Sequence, residues 1–181
     1  VVAEYLSGNL YPVRAAIVET TAGATGRDYL MPFFVRKSVA ISQVGWFRKV
    51  VTAANVYVGI YNSAGTLLTD CAVDADTSAN VWHVVPTSAV NLTAGSIYYA
   101  LLNQSVDVAG AWPLAQANTT QELVSGPGVY GYALGLGVSG VISGLTTYRK
   151  SRVAAAPLAS LVMSGWANET GVTPAMGFVP A

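Results

Sequence analysis

The sequence is short of charge. Asp, Glu, Lys and Arg make up 10% of its 181 residues, where about 25% is usual in globular domains. Nine basic residues balance nine acidic ones, so the chain lacks the basic footprint that nucleic acid or an anionic membrane surface demands. A neutral surface with few ionised groups also lacks the repulsion that keeps copies apart. Specific self-association is the expected remedy. Cysteine is nearly absent: Cys71 stands alone, which excludes an internal disulfide framework and leaves stability to packing. Its own expected place is a semi-buried small apolar slot. Histidine is equally scarce, with His83 the one example. No basic segment followed by an apolar run opens the chain, so no signal peptide is visible. Because it begins Val1-Val2-Ala3, it reads as a processed product or a piece of a longer protein, with residues 1–9 an extension or linker. Helical periodicity is missing as well.

What is present is apolar and β-prone. Hydrophobic residues make up 52% of the chain, enough for one core, and the length suits a single domain over 1–181. Short runs of β-branched and aromatic residues are punctuated by Gly, Asn, Asp and Pro along the whole length, which predicts an all-β, antiparallel two-sheet β-sandwich. Strands are expected over residues 10–18 and 29–37, both near sheet edges because Pro32 lacks a donor. A third is expected over 41–51, where Arg48 and Lys49 mark a bulge or the strand's exit. In the next run Val56, Val58 and Ile60 share one face and Tyr57, Gly59 and Tyr61 the other. Asn62-Ser63-Ala64-Gly65 then suits a type I turn, returning through Thr66-Leu67-Leu68. Further strands are expected over 81–86, 96–102, 129–134, 145–150 and 158–163, with Asn91-Leu92-Thr93-Ala94-Gly95 as a tight reversal. The uncharged stretch between Glu122 and Arg149 is not read as a membrane span, since seven glycines from Gly126 to Gly144 and Pro127 break it.

Motifs for chemistry fare poorly. Gly135-Leu136-Gly137-Val138-Ser139-Gly140 fits GxGxxG, but Val141-Ile142-Ser143-Gly144 follows it where a helix should start, and no acid stands about 20 residues on. A Gly-rich packing segment is the simpler reading. His83 lies within a strand pattern with no G-x-S-x-G nearby, and is expected to face outward or an interface. Zinc lacks further His or Cys ligands. Asp70, Asp74 and Asp76 could offer oxygens to Ca²⁺, without the glycine and terminal glutamate of an EF-hand loop; a solvated loop explains them as well. No facing carboxylate pair of the glycosidase kind is visible, and no cofactor is called for. The sequons at Asn91, Asn103, Asn118 and Asn168 reflect richness in Ser and Thr. Trp112, Tyr130, Tyr132 and Trp166 lie in the irregular C-terminal third, where exposed rings would suit the apolar faces of sugars; Tyr148 shares that region. Core or subunit-interface packing is the competing use of each ring.

Tyr57-Val58-Gly59-Ile60-Tyr61-Asn62, the Gly-containing turn, Thr66-Leu67-Leu68 and Leu92-Thr93-Ala94-Gly95-Ser96-Ile97-Tyr98-Tyr99-Ala100-Leu101 together resemble a β-sandwich module of bacteriophage tail-fibre and minor virion structural proteins. Tyr29-Leu30-Met31-Pro32-Phe33-Phe34-Val35 and Ile41-Ser42-Gln43-Val44-Gly45 extend the resemblance, which spans roughly residues 28–103. Trp46-Phe47-Arg48-Lys49 and the C-terminal third depart from it. The resemblance implies a jelly-roll-like fold and a non-enzymatic role on the phage particle surface, as a tail-fibre or receptor-binding tip module contacting bacterial surface polysaccharide. Its expected partners are other virion proteins and copies of itself, in threefold order, with the segment 126–144 at the subunit contact. A capsid decoration or baseplate subunit, a carbohydrate-binding module of a secreted bacterial protein and, third, a glycan-cleaving enzyme remain open alternatives.

Overall fold

The computed structural model describes residues 18–21, 26–35, 38–71, 78–79, 81–106, 108–113, 148–168, 172–174 and 176–181. Among them there is no helix. The strands are β1 (Val18–Thr21), β2 (Arg27–Phe34), β3 (Val39–Arg48), β4 (Val56–Asn62), β5 (Leu67–Asp70), β6 (Val81–Leu92), β7 (Ile97–Gln104), β8 (Gly110–Pro113), β9 (Tyr148–Ser151), β10 (Ala167–Asn168), β11 (Val172–Pro174) and β12 (Met176–Pro180). A six-stranded sheet in the order β10-β9-β2-β7-β4-β5 packs on a three-stranded sheet, β12-β3-β6. A further small sheet has the order β1-β8-β11. All the pairings are antiparallel. The protein is an all-β sandwich.

Its central strands are nested. The chain goes out through β2, β3 and β4 and returns through β5, β6 and β7, pairing β4 with β5, β3 with β6 and β2 with β7. The outgoing and returning strands change sheets together, so the connectivity is that of one long hairpin rolled over itself. A full jelly roll contains two Greek keys; three nested pairs are present among the described residues.

The period of two explains why this sequence closes a core. Tyr29, Met31, Phe33 and Val35 from the β2 region, Val56, Val58 and Ile60 from β4, and Ala100 and Leu102 from β7 point inward from the large sheet. Ile41, Val44 and Trp46 of β3 with Met176 and Phe178 of β12 answer from the small one. Phe33 is the joint: its ring lies 5.8 Å from that of Tyr98 in its own sheet and 4.6 Å from that of Phe178 across the core. Cys71, the lone cysteine, is buried in the same cluster, in the apolar slot expected of it.

The Val56–Asn62 strand and its turn follow the sequence closely. Asn62 Oδ1 accepts from the amides of Ala64 (3.0 Å) and Thr66 (2.9 Å), and Gly65, at φ +84°, donates its amide to the Asn62 carbonyl. The asparagine thus bonds its own turn, and glycine supplies the left-handed position that closes it.

Other expectations need correction. β2 lies inside the six-stranded order, not at its edge; Pro32 is accommodated because β9 pairs only with Arg27 to Leu30, so beyond Leu30 that side of β2 has no ladder from β9 to complete. β6 does not stop at Pro86 but runs to Leu92, and its pairing with β3 shifts register between Ile41 and Gln43, where Pro86 faces Gln43. That irregularity lets a proline sit inside a long strand. Residues 158–163 form no strand, only a single bridge from Ser160 to Thr66. β9 (Tyr148–Ser151) covers the described part of the strand expected over 145–150 and continues to Ser151; residues 145–147 fall outside the described residues. The segments 10–17, 129–134 and 126–144, like residues 1–9, fall outside the described residues.

Candidate functional site

The outer face of the six-stranded sheet is where the molecule departs from a plain sandwich. Leu30 of β2, Tyr61 of β4 and Leu101 of β7 form a second, smaller cluster there with Leu161, and Leu67, Tyr99, Tyr148, Met163 and Trp166 pack against it. The cover is a strap of extended, non-strand chain between β9 and β10, residues 152–166. Two glycines let it approach. A Cβ on Gly59 would stand 2.9 Å from Cβ of Pro157, and one on Gly65 would stand 2.6 Å from the Leu161 carbonyl oxygen. Either position needs the bare backbone.

Polar contacts tie the strap down at both ends. Asp28, buried in β2, accepts a 2.6 Å bond from Arg152 Nε on Oδ2 and a 2.7 Å bond from Asn103 Nδ2 on Oδ1. Both carboxylate oxygens are thereby engaged by charge-assisted or buried donors. The Arg152 terminal nitrogens donate to the carbonyls of Ala155 (3.2 Å) and Ala156 (2.9 Å), while Asn103 Oδ1 accepts from the Ala155 amide at 3.3 Å. Midway, the Tyr61 hydroxyl donates to the Leu158 carbonyl at 2.9 Å. Beyond it, Leu67 donates to the Ala159 carbonyl and Leu161 to the Gly65 carbonyl. Burial raises the Tyr61 phenol well above the ordinary tyrosine range, and it stays a neutral donor. The Tyr99 hydroxyl is raised too, by burial and by the neighbouring Tyr148.

What the strap presents outward is apolar. From Val153 to Asn168 there is no charged residue. Val153 is 82% exposed, Val162 69% and Leu158 49%, with Ala155, Ala156 and Ala159 exposed between them. Scattered single apolar residues on a surface mean little, but here three large ones and three alanines are exposed on one uncharged segment between Val153 and Val162.

The two described ring candidates lie on different elements. Trp112 lies in β8, opposite Thr173 of β11, hence on a strand and not in a loop. Trp166 belongs to the strap's end: its indole Nε1 donates to the Val162 carbonyl at 3.0 Å, Lys150 Nζ sits 5.8 Å from its ring centre, and it packs on the outer cluster. These contacts fix the ring's place at the end of the strap, half-buried. Tyr148 is in β9 and packs on the same cluster. Tyr130 and Tyr132 fall outside the described residues, as do Asp74 and Asp76; Asp70 ends β5, exposed and opposite Gly59. No group of His, Cys, Asp and Glu suited to a metal occurs among the described residues.

His83 does not face outward. It is buried, its ring stacked 4.9 Å from that of Trp46, with Nε2 2.9 Å from the Ser78 carbonyl. A carbonyl only accepts, so Nε2 carries the proton and donates. Register explains the inward turn: His83 is opposite Trp46, an inward residue of β3. No helix among the described residues is long and apolar enough to cross a membrane. No family model matches the sequence, and no curated protein matches it.

Proposed function

We propose that the chain is a non-enzymatic building block of a homo-oligomeric assembly, with the exposed apolar strap as its contact surface. The observation that carries this reading is the row Val153, Leu158 and Val162, on a chain with net charge zero and 10% charged residues. Apolar area that is neither in the core nor diluted by charge favours association, and a closed symmetric form avoids open filaments. Nothing in the strap supplies a nucleophile with a base beside it. The conspicuous polar side chains around it, Arg152 of the strap with Asp28, Asn103 and Tyr61 of the sheet beneath, bond to one another and to backbone, which is the arrangement of a fastening and not of a reacting site.

Within that reading the chain is a virion protein: a jelly-roll-like module of a phage tail fibre or receptor-binding tip, trimeric, on the particle surface, contacting host polysaccharide and neighbouring virion proteins. The nested pairing of β2 to β7 supports the jelly-roll likeness. The two glycines and the asparagine of the motif resembling that group support it further, because in this fold they hold the hairpin and admit the strap. Immunogold labelling of intact phage particles with antibodies to this chain tests the placement. Label at fibre tips is the expected result. Label over capsids points to a decoration subunit, and label on no particle points to a module of a secreted protein.

A further inference from the structure

Among the described residues the strap joins a sheet at one point, the bridge from Ser160 to Thr66. A segment without a ladder has to be fixed by other donors, or it pays its ordering entropy at the moment of contact. Three side chains supply those donors, and each acts beside one of the exposed apolar residues. At the near end the Arg152 guanidinium, anchored through Nε on Asp28, turns back along its own chain to the carbonyls of Ala155 at 3.2 Å and Ala156 at 2.9 Å. Val153 stands within the loop so closed, and its side chain is exposed. In the middle the Tyr61 hydroxyl, from β4, donates to the carbonyl of Leu158, itself exposed. At the far end the Trp166 indole Nε1 donates to the carbonyl of Val162 at 3.0 Å, across a bend in which Gly165 has φ +80°. Lys150 Nζ, 5.8 Å from the ring centre, and the outer cluster hold that indole in place, and the Val162 side chain is exposed.

Each of these donors binds main chain, so it fixes the backbone and leaves the neighbouring apolar side chain available to a partner. A loop surface that is ordered beforehand keeps the affinity that a loose one loses to ordering. We infer that Arg152, Tyr61 and Trp166 are positioning residues of the assembly contact, each presenting one of Val153, Leu158 and Val162 to a second copy of the chain. The inference rests on the strap being the contact between copies. The pairing is one to one, because each donor holds a different stretch of the strap: Arg152 the carbonyls after Val153, Tyr61 that of Leu158, Trp166 that of Val162.

The test is a double-mutant cycle on the full chain, read by light scattering as the concentration at which half of the assembly dissociates. Trp166→Phe keeps a ring on the outer cluster and removes the indole N–H. It should raise that concentration about fivefold to tenfold, the worth of one net hydrogen bond, with the β-sheet circular dichroism unchanged. In a Val162→Ala background the same replacement should add less than about twofold, since the side chain it presents is gone. In a Val153→Ala background it should keep its full effect, since Arg152 holds that end. Tyr61→Phe against Leu158→Ala forms a second cycle with the same expectation, and decides the matter if Trp166→Phe does not fold. No effect of Trp166→Phe in the natural chain, or an equal effect in the Val162→Ala and Val153→Ala backgrounds, would overturn the assignment; the contact surface itself would stand if the two valine replacements alone weaken assembly. A natural chain that is monomeric at every concentration would overturn both.

Discussion

At the scale of single residues, the glycines of the β4–β5 hairpin carry more than turn geometry. Gly65 meets two demands at once, a positive φ and contact with the Leu161 carbonyl. Gly65→Ala should therefore cost about 2 kcal/mol or more, combining left-handed strain with displacement of the strap. Gly59→Ala, with ordinary backbone, should cost about 1–3 kcal/mol through overpacking against Pro157. Urea unfolding midpoints at fixed slope measure both. Tyr61 makes a pH prediction. Its folded-state pKa is raised, so the folded protein holds the phenolic proton more tightly than the unfolded chain does. The associated stability is complete below the ordinary tyrosine value of about 10 and declines as pH climbs from there toward the raised value. Tyr61→Phe should flatten the alkaline decline without abolishing it, because Tyr99 shifts in the same direction. An unchanged slope in the variant would remove Tyr61 from the account. The sequence placed Tyr61 and Gly59 on the face opposite Val58, which is correct, but no local pattern discloses that a segment about a hundred positions later covers that face.

At the scale of elements, legibility follows sequence distance. The hairpin from Val56 to Leu68 is readable because its alternation and its turn chemistry are both local, and β7 is readable because the run of Ile97 to Leu102 suits a strand buried on both faces. β6 reads short because Pro86 resembles a terminus; the register shift that accommodates it is a property of the β3–β6 pair. β11 and β12 are hidden by Pro174, Gly177 and Pro180, although Pro180 closes an edge strand of the small sheet, where a missing donor does no harm. The strap lacks any periodicity, and its order comes from Asp28, Asn103, Tyr61 and Gly59 of other strands and from Gly65 of the β4–β5 turn. Arg152→Met removes the cation that faces the buried Asp28 carboxylate, and should destabilise by about 3 kcal/mol. Limited proteolysis locates the loss. Cleavage within 153–166 should accelerate well before the rest of the sandwich becomes susceptible. Uniform acceleration across the chain would mean that the strap and the sheets unfold as one unit.

For the whole molecule, the proposed assembly buries the strap's outer apolar residues against further copies. The shortage of charge in the sequence favours self-association without saying through which surface; the glycine-rich stretch 126–144 expected at the contact falls outside the described residues, and the exposure of the strap is a property of the fold. Val153 and Val162 look like core residues until the fold shows them turned outward on a segment whose inner side is already occupied by Leu161. Replacing both valines with glutamate should leave the β-sheet circular dichroism and the Tm nearly unchanged, because neither side chain is buried in the single chain, while dispersing the assembly. The most direct measurement is light scattering coupled to gel filtration over a wide range of protein concentration, on the natural chain and on the Val153→Glu, Val162→Glu double variant. The account predicts a discrete oligomer, three times the 18.8 kDa chain mass for the fibre reading, and a folded monomer for the double variant; a natural chain that remains a soluble 18.8 kDa monomer throughout would contradict it.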